Sequence, residues 1–240
     1  MTIYVFDLDG TLTPARLPMT KEFESFFLKW AKDKTCFIAT GSDIKKVKEQ
    51  ASQKVLDAFE GVYCSMGNVL WKRGEIIYKN EFQANPRLIE KLEEFRSITT
   101  YPHELFGNYI EYREGMINFS VLGRDCPYAE REKYFAYDKK THERERICHL
   151  LAEQFPEYDF SIGGMISIDI TPKGKGKEQV AHHLRQIYPK LKIVFFGDKT
   201  FSGGNDYALA QAVLALGNAA VVQVAGPDVV KDFLKSEYRG

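Results

Sequence analysis

Neither sign of charge is in excess in this sequence: 33 lysines and arginines balance 33 aspartates and glutamates across 240 residues. A chain without a net field is not drawn to nucleic acid or to an anionic membrane, so an anionic partner has to be met by a local cluster. Long apolar runs are missing too. None approaches the roughly 20 residues of a membrane span, and the opening MTIYVFDLDG has neither a basic region nor an apolar stretch of signal-peptide length. Cysteine is sparse, and Cys36, Cys64, Cys126 and Cys148 show no C-x-x-C and no zinc-like Cys/His spacing. That speaks against a zinc site and favours free thiols in a reducing, cytoplasmic setting. The five histidines, His103, His142, His149, His182 and His183, have no metal-ligand spacing either and are expected on helices or the surface. Repeats and low-complexity linkers are absent, and PKGKGK does not meet the G-x-x-x-x-G-K-[ST] pattern of a P-loop.

What the sequence does contain is enough apolar material, 44%, to build a sizeable core. The first eighty residues alternate short β-rich runs with helical patterns, as in a parallel α/β sheet. Strands are predicted at 2–6, 35–39 and 61–64, and a helix at 20–32 capped by Thr20 with Phe23, Phe26, Phe27 and Trp30 on one face. Ser42 is expected to cap the helix DIKKVKEQ, and VLWK and EIIYK to form a hairpin through Arg73-Gly74. From about 83 to 176 strands gather apart from helices, as in an α+β unit with an antiparallel sheet. Alternation resumes with KIVFFG, a helix from Asn205, AAVVQV and a helix from Pro227. The expectation is an α/β fold: a Rossmann-type core in two parts, 1–82 and 177–240, interrupted by an inserted α+β cap at 83–176.

In open parallel sheets ligands bind beyond the carboxyl ends of the strands, where the strand order reverses. Four polar clusters are predicted at such places: Asp7 and Asp9; Thr40-Gly41-Ser42-Asp43; Lys177; and Gly197-Asp198 with Gly203-Gly204-Asn205-Asp206. Taken alone, D-x-D-G is equally good turn chemistry. A calcium loop is excluded by spacing, because counting from Asp7 puts Gly10 at position four and Pro18 at position twelve. Ser42, Asn205 and Asp206 also have helix-capping readings, and Lys173 and Lys175 are read as surface charges.

The order φφDxDGT, a strand ending in T-G-S, a lysine, then φφGDxxxxGGND resembles the haloacid dehalogenase (HAD) superfamily. Within it, FDLDGTLTPAR, GSDIKKVKEQ, YIEYREGMINFSVLGRDC, ERE, DKK, FSIGGMISIDITPKG and FFGDKTFSGGND resemble the eukaryotic-type phosphomannomutases, with a type IIB cap, over nearly the whole chain. The resemblance implies Asp7 as nucleophile forming an aspartyl-phosphate, Asp9 as general acid/base and Lys177 as charge neutraliser. It implies magnesium held by Asp7, a backbone carbonyl of Asp9, and Asp198. Thr40 and Ser42 would bind phosphoryl oxygens, and Arg16, Arg113, Arg124, Arg131, Ser167 and Asp169 the rest of the substrate. The activity implied is interconversion of mannose 6-phosphate and mannose 1-phosphate, and of glucose phosphates, through a hexose 1,6-bisphosphate, by a homodimer joined through its caps.

Physical chemistry supports two elements of that picture. A carboxylate attacks a phosphate only where a cation offsets the repulsion of two anions, and guanidinium forks suit a second, non-reacting phosphate. The sequence departs from the family pattern at Ser65-Met66-Gly67, where Glu-Asn-Gly is usual, and at Gly174-Lys175-Gly176-Lys177, where Gly-Trp-Asp-Lys is usual. Threonine at Thr40 follows related sugar phosphatases. Two alternatives therefore stand beside the mutase: a sugar-phosphate phosphatase with a similar cap, and a catalytically idle sugar-phosphate-binding protein.

Overall fold

The computed structural model describes residues 1–102 and 104–236; His103 lies outside them. The central element is β1 (Thr2–Phe6), whose run of apolar residues is buried on both faces, as a parallel strand in mid-sheet requires. On one side it pairs in parallel with β2 (Thr35–Ala39), which pairs with β3 (Gly61–Cys64). The sheet then turns antiparallel through β4 (Val69–Lys72) and β5 (Glu75–Lys79). On the other side of β1 lie β10 (Lys192–Gly197) and β11 (Ala219–Gln223), both parallel, so the order is β11-β10-β1-β2-β3-β4-β5. The predicted hairpin is present, and Arg73 (φ 50°) and Gly74 (φ 96°) give its two-residue turn the positive dihedrals that match strand twist.

Two apolar layers enclose this sheet. α1 (Lys21–Trp30) buries Phe23, Phe27 and Trp30 against Phe6, Phe59 and Phe196. Phe6 meets Phe27 and Trp30 edge-on at ring distances of 5.7 and 6.0 Å and stacks on Phe196 at 4.9 Å. Such pairs add about 0.5–1.5 kcal/mol each beyond their buried area. α1 is capped as expected: Thr20 Oγ1 accepts from Phe23 N. α2 (Ile44–Gln50), α3 (Gln53–Asp57) and α9 (Pro227–Ser236) complete this layer. α7 (Glu178–Ile187) and α8 (Tyr207–Ala215) cover the opposite face with Val180, Leu184, Leu209 and Val213.

A second, four-stranded antiparallel sheet of order β6-β7-β9-β8 is built from β6 (Ile110–Arg113), β7 (Met116–Ser120), β8 (Tyr158–Ile162) and β9 (Ser167–Pro172). With α4 (Pro86–Ile98), α5 (Tyr128–Thr141) and α6 (Glu143–Gln154) it has its own core around Leu92, Phe119, Tyr134, Leu151 and Ile168. The charged segment between β7 and β8 is two helices, α5 and α6, broken where His142 takes a left-handed conformation (φ 54°). Mixed parallel core and separate antiparallel sheet make the expected α/β architecture of core plus cap.

Two polar strips join the sheets. Asn68, 1% exposed, donates its amide to Ser65 O and Lys175 O, and its carbonyl oxygen accepts from Asn80 and Gln179. One buried side chain thereby ties together both chain crossings between core and cap. Above the carboxyl ends of β1 and β2, Lys46 reaches Glu111 at 2.5 Å, Arg113 donates to Gly41 O at 2.6 Å, and Asn205 donates to Asp169 at 3.2 Å.

Candidate active site

β1 and β10 end side by side, with Phe6 opposite Phe196 and Asp7 N donating to Phe196 O. This register sets Asp7 and Asp198 next to each other in the crevice where the chain leaves β1 for β2 on one side and meets β10 on the other. Gly10 permits the approach: its φ is 83°, and a Cβ there would sit 2.6 Å from an Asp198 oxygen. Asp206, at the start of α8, closes the group. Oxygens of Asp7, Asp198 and Asp206 all lie within 4.8 Å of one another.

Lys177 is fully buried and bridges two of these acids, with Nζ 2.6 Å from Asp7 Oδ1 and 2.6 Å from Asp206 Oδ1. Burial by itself pushes the ammonium down, but the pairs with Asp206 and Asp7 outweigh it and hold Lys177 above the ordinary lysine value. Burial raises the Asp7 carboxyl well above its usual range; Lys177 opposes this, while Asp206 and Asp198 add to it. Asp198 is raised chiefly by burial, although Lys199 pairs with it at 2.6 Å. Crowded, desolvated carboxylates of hard oxygen are the donor chemistry of a site for a small divalent cation such as magnesium, so these residues fit the ion.

Asp9 faces elsewhere. Its Oδ1 accepts from Arg16 N at 2.6 Å and Gln50 Nε2 at 2.9 Å, and its Oδ2 accepts from Ser42 Oγ at 3.2 Å. Arg16 presents that amide from a left-handed conformation (φ 65°), which costs a non-glycine residue about 1–2 kcal/mol. Two sequence expectations change here. Ser42 does not cap α2: Asp43 does, accepting from Lys46 N at 2.8 Å, because Ser42 is turned towards Asp9. Asp206 stands at the N-cap position of α8 but its side chain makes no capping bond, since its carboxylate is held by Lys177 and the Lys199 amide. Thr40 is buried and accepts from Ser42 N.

Across the cleft, Asn118, Ser167 and Asp169 project from β7 and β9. Asn118 donates to Asp169 at 2.6 Å, and Arg124 donates to Ser167 Oγ at 2.9 Å and to Asn118 Oδ1 at 2.5 Å. Arg131 lies behind Arg124, donating to the backbone carbonyls of Cys126 and Arg124. Among the described residues neither arginine pairs with Asp125, Glu130 or Glu132; Glu130 pairs with Lys133. Arg124 instead lies 3.0 Å from Glu111, which also pairs with Lys46 and Arg113. Burial raises Glu111, but Arg113, Arg124 and Lys46 together bring it down to about 2. Burial and the neighbouring charge of Arg16 lower Arg124 to about 9 and Arg131 to about 10. Arg124 Nη2 and Arg131 Nη1 are buried donors without a hydrogen-bond partner among the described residues.

Asp7, Asp9, Arg16, Thr40, Ser42, Arg113, Ser167, Asp169 and Asp198 thus line one cleft. Lys177 stands beneath it, and Arg124 and Arg131 form its outer support. Its free volume is about 40 Å³, room for roughly three waters at about 10–15 Å³ each. Sequence reasoning did not assign Asp206, Asn205, Asn118, Gln50, Lys46 or Glu111. Only Asp206 left a usable signal, as the acid that ends GGND.

A two-part Rossmann-type core with an acid pair at the end of its first strand and an α+β cap over it is the HAD fold, and solved structures agree. A HAD subclass IIB sugar phosphatase superposes with a TM-score of 0.59 at 17% identity, covering 99% of both chains. IMP-nucleotidase of Plasmodium falciparum gives 0.63 at 16%, over 100% of this chain and 68% of that one. The chain belongs to the eukaryotic phosphomannomutase family, whose profile matches residues 23–236. Phosphomannomutases of Dendrobium officinale and Spinacia oleracea are 36% and 37% identical to it, covering 94% and 90% of this chain and 90% and 89% of theirs.

Proposed function

We propose that the protein interconverts mannose 6-phosphate and mannose 1-phosphate, with glucose phosphates as further substrates, through an aspartyl-phosphate on Asp7 and a hexose 1,6-bisphosphate. The observation carrying this reading is that one cleft has two phosphate-suited ends: the Asp7–Lys177 centre in the core, and Arg16 with the cap's Arg113, backed by Arg124 with its unpartnered buried donor. A phosphatase needs only the first; a mutase needs both, because each phosphate of the bisphosphate takes its turn at Asp7.

Lys177 fixes Oδ1 of Asp7 and so orients the carboxylate for in-line attack on phosphorus. As the bond from phosphorus to the sugar oxygen breaks, Asp9 supplies the proton that oxygen needs, oriented by Gln50 and the Arg16 amide. In the preceding half-reaction, before the bisphosphate turns round, Asp9 takes the proton from the sugar hydroxyl that attacks the phosphoryl group on Asp7 and so forms that bisphosphate. Magnesium, when held by Asp7, Asp198 and Asp206 with the Asp9 carbonyl, would offset the charge shared by nucleophile and phosphoryl oxygens. Arg113, Arg124 and Arg16 hold the other phosphate, while Ser167 and Asp169 take sugar hydroxyls.

The Lys46–Glu111, Arg113–Gly41 and Asn205–Asp169 contacts bridge cap and core beside the narrow cleft, and their opening would widen it for exchange of a hexose phosphate. Their closure excludes water from the phosphoenzyme, which favours transfer over hydrolysis. The idle-binder alternative leaves Asp9 beside Asp7 without a purpose. The four cysteines are unpaired, which supports a reducing compartment and with it a cytoplasmic enzyme supplying mannose 1-phosphate for GDP-mannose synthesis. No helix among the described residues is long and apolar enough to cross a membrane. Association as a homodimer through the cap belongs to the same reading and rests on the family likeness. Simultaneous measurement of mannose 6-phosphate and inorganic phosphate formed from mannose 1-phosphate separates mutase, phosphatase and binder.

A further inference from the structure

DKK and FSIGG are far apart in the sequence and neither contributes a side chain to the chemistry above, yet the structure joins them through one buried residue. Arg144, 1% exposed, lies in the first turn of α6. Its amide donates to Asp138 Oδ1 at 2.8 Å and its Nε to Asp138 Oδ2 at 2.9 Å. Fixed in this way, its Nη1 faces three backbone carbonyls: Gly163 at 3.0 Å, Ser167 at 3.1 Å and Gly164 at 3.2 Å. Gly163 N closes the same loop on Ser167 O at 3.0 Å.

That loop is the cap wall of the cleft. Gly164, Met165 and Ser167 line it, with Asp169 two residues further on. Gly163 also packs directly on the Asp169 carboxylate, where a Cβ would come within 2.7 Å of Oδ2. Any shift of the loop therefore moves both Ser167 and Asp169.

We propose that the Asp138–Arg144 pair is a positioning element that fixes the hydroxyl-recognising side chains Ser167 and Asp169, and so sets sugar discrimination without touching substrate. The planar guanidinium is essential because a single ammonium cannot keep Asp138 and three carbonyls at once. The inference rests on the hexose-phosphate reading of the cleft.

The test uses the full-length protein with Arg144→Lys and, as a second variant that retains the guanidinium, Asp138→Asn. Three readouts are compared with the unaltered protein: kcat and KM on mannose 1-phosphate and glucose 1-phosphate, phosphorylation of Asp7 by acetyl phosphate followed by mass spectrometry, and the thermal midpoint. The expected result is a loss in kcat/KM on hexose phosphates of about 10- to 100-fold, carried mainly by KM. The mannose-to-glucose ratio changes, and the rate of labelling by acetyl phosphate stays within about twofold. Equal losses on acetyl phosphate and hexose phosphates in both variants would assign the pair to general stability and overturn the proposal, as would an unchanged sugar ratio. If the unaltered protein is never labelled at Asp7, it is the nucleophile reading that fails; the sugar ratio still decides the role of Arg144.

Discussion

Lys177 Nζ lies at the same distance, 2.6 Å, from Asp7 and from Asp206, so one buried cation holds Asp7, the proposed nucleophile, to an acid 199 positions later in the chain. Replacing it with an uncharged isostere, Lys177→Met, leaves three close carboxylates without their internal cation and Asp7 without its orienting contact. Phosphorylation of Asp7 should slow by at least about 10²-fold, the scale of losing one charge-stabilising donor. Rapid-quench labelling checks this, and a Lys177→Met protein labelled at the normal rate would contradict it.

Asp206 shares Lys177 and lies within 4.8 Å of Asp7 and Asp198, so it would complete the proposed cation site. Asp206→Asn should weaken magnesium binding by about 10- to 100-fold, the range for groups that orient metal ligands, measured by titration calorimetry. Unchanged affinity would remove Asp206 from the site.

Gly10 has a positive φ and faces Asp198. Gly10→Ala should push Asp198 away from Asp7 and cost about 10²-fold in kcat, as expected for a misplacement near 1 Å. Activity and the thermal midpoint should separate, activity falling much further.

Glu111 gives the fold an acid-sensitive contact between cap and core. Its ordinary value is 4.5, and in the folded protein Arg113, Arg124 and Lys46 overcome the burial penalty and bring it to about 2. Between those values the unfolded chain carries the extra proton, so stability from Glu111 is complete above about pH 4.5 and is lost as pH falls through about 2. Urea midpoints of the unaltered protein and Glu111→Gln should therefore differ at pH 6 and converge on acidification. A difference that stays constant across this range would contradict the ion-pair account.

The core strands, the Thr20 cap and the Arg73-Gly74 turn were legible because each depends on local spacing or on residues with restricted dihedrals. Asp7 and Asp198 were legible because they follow strands whose carboxyl ends converge, and Lys177 because its place between IDITP and the next helix matches the family pattern. Local rules misread Ser42: its hydroxyl suits a helix cap, but Asp9, 33 residues away, captures it and leaves the cap to Asp43. Asp206 looked like a cap for the same reason and was taken by Lys177. Glu111, Asn118 and Arg144 left no local mark at all. Their partners come from other strands and helices, and only tertiary packing brings a surface-type charge such as Arg144 to full burial.

The most direct test of the central claim supplies purified protein with mannose 1-phosphate, magnesium and a trace of hexose 1,6-bisphosphate, and follows mannose 6-phosphate and inorganic phosphate together. The account predicts isomerisation with little phosphate release, abolished by Asp7→Asn. Release of inorganic phosphate as the main product would contradict it in favour of a sugar phosphatase, and no turnover of any hexose phosphate would contradict both.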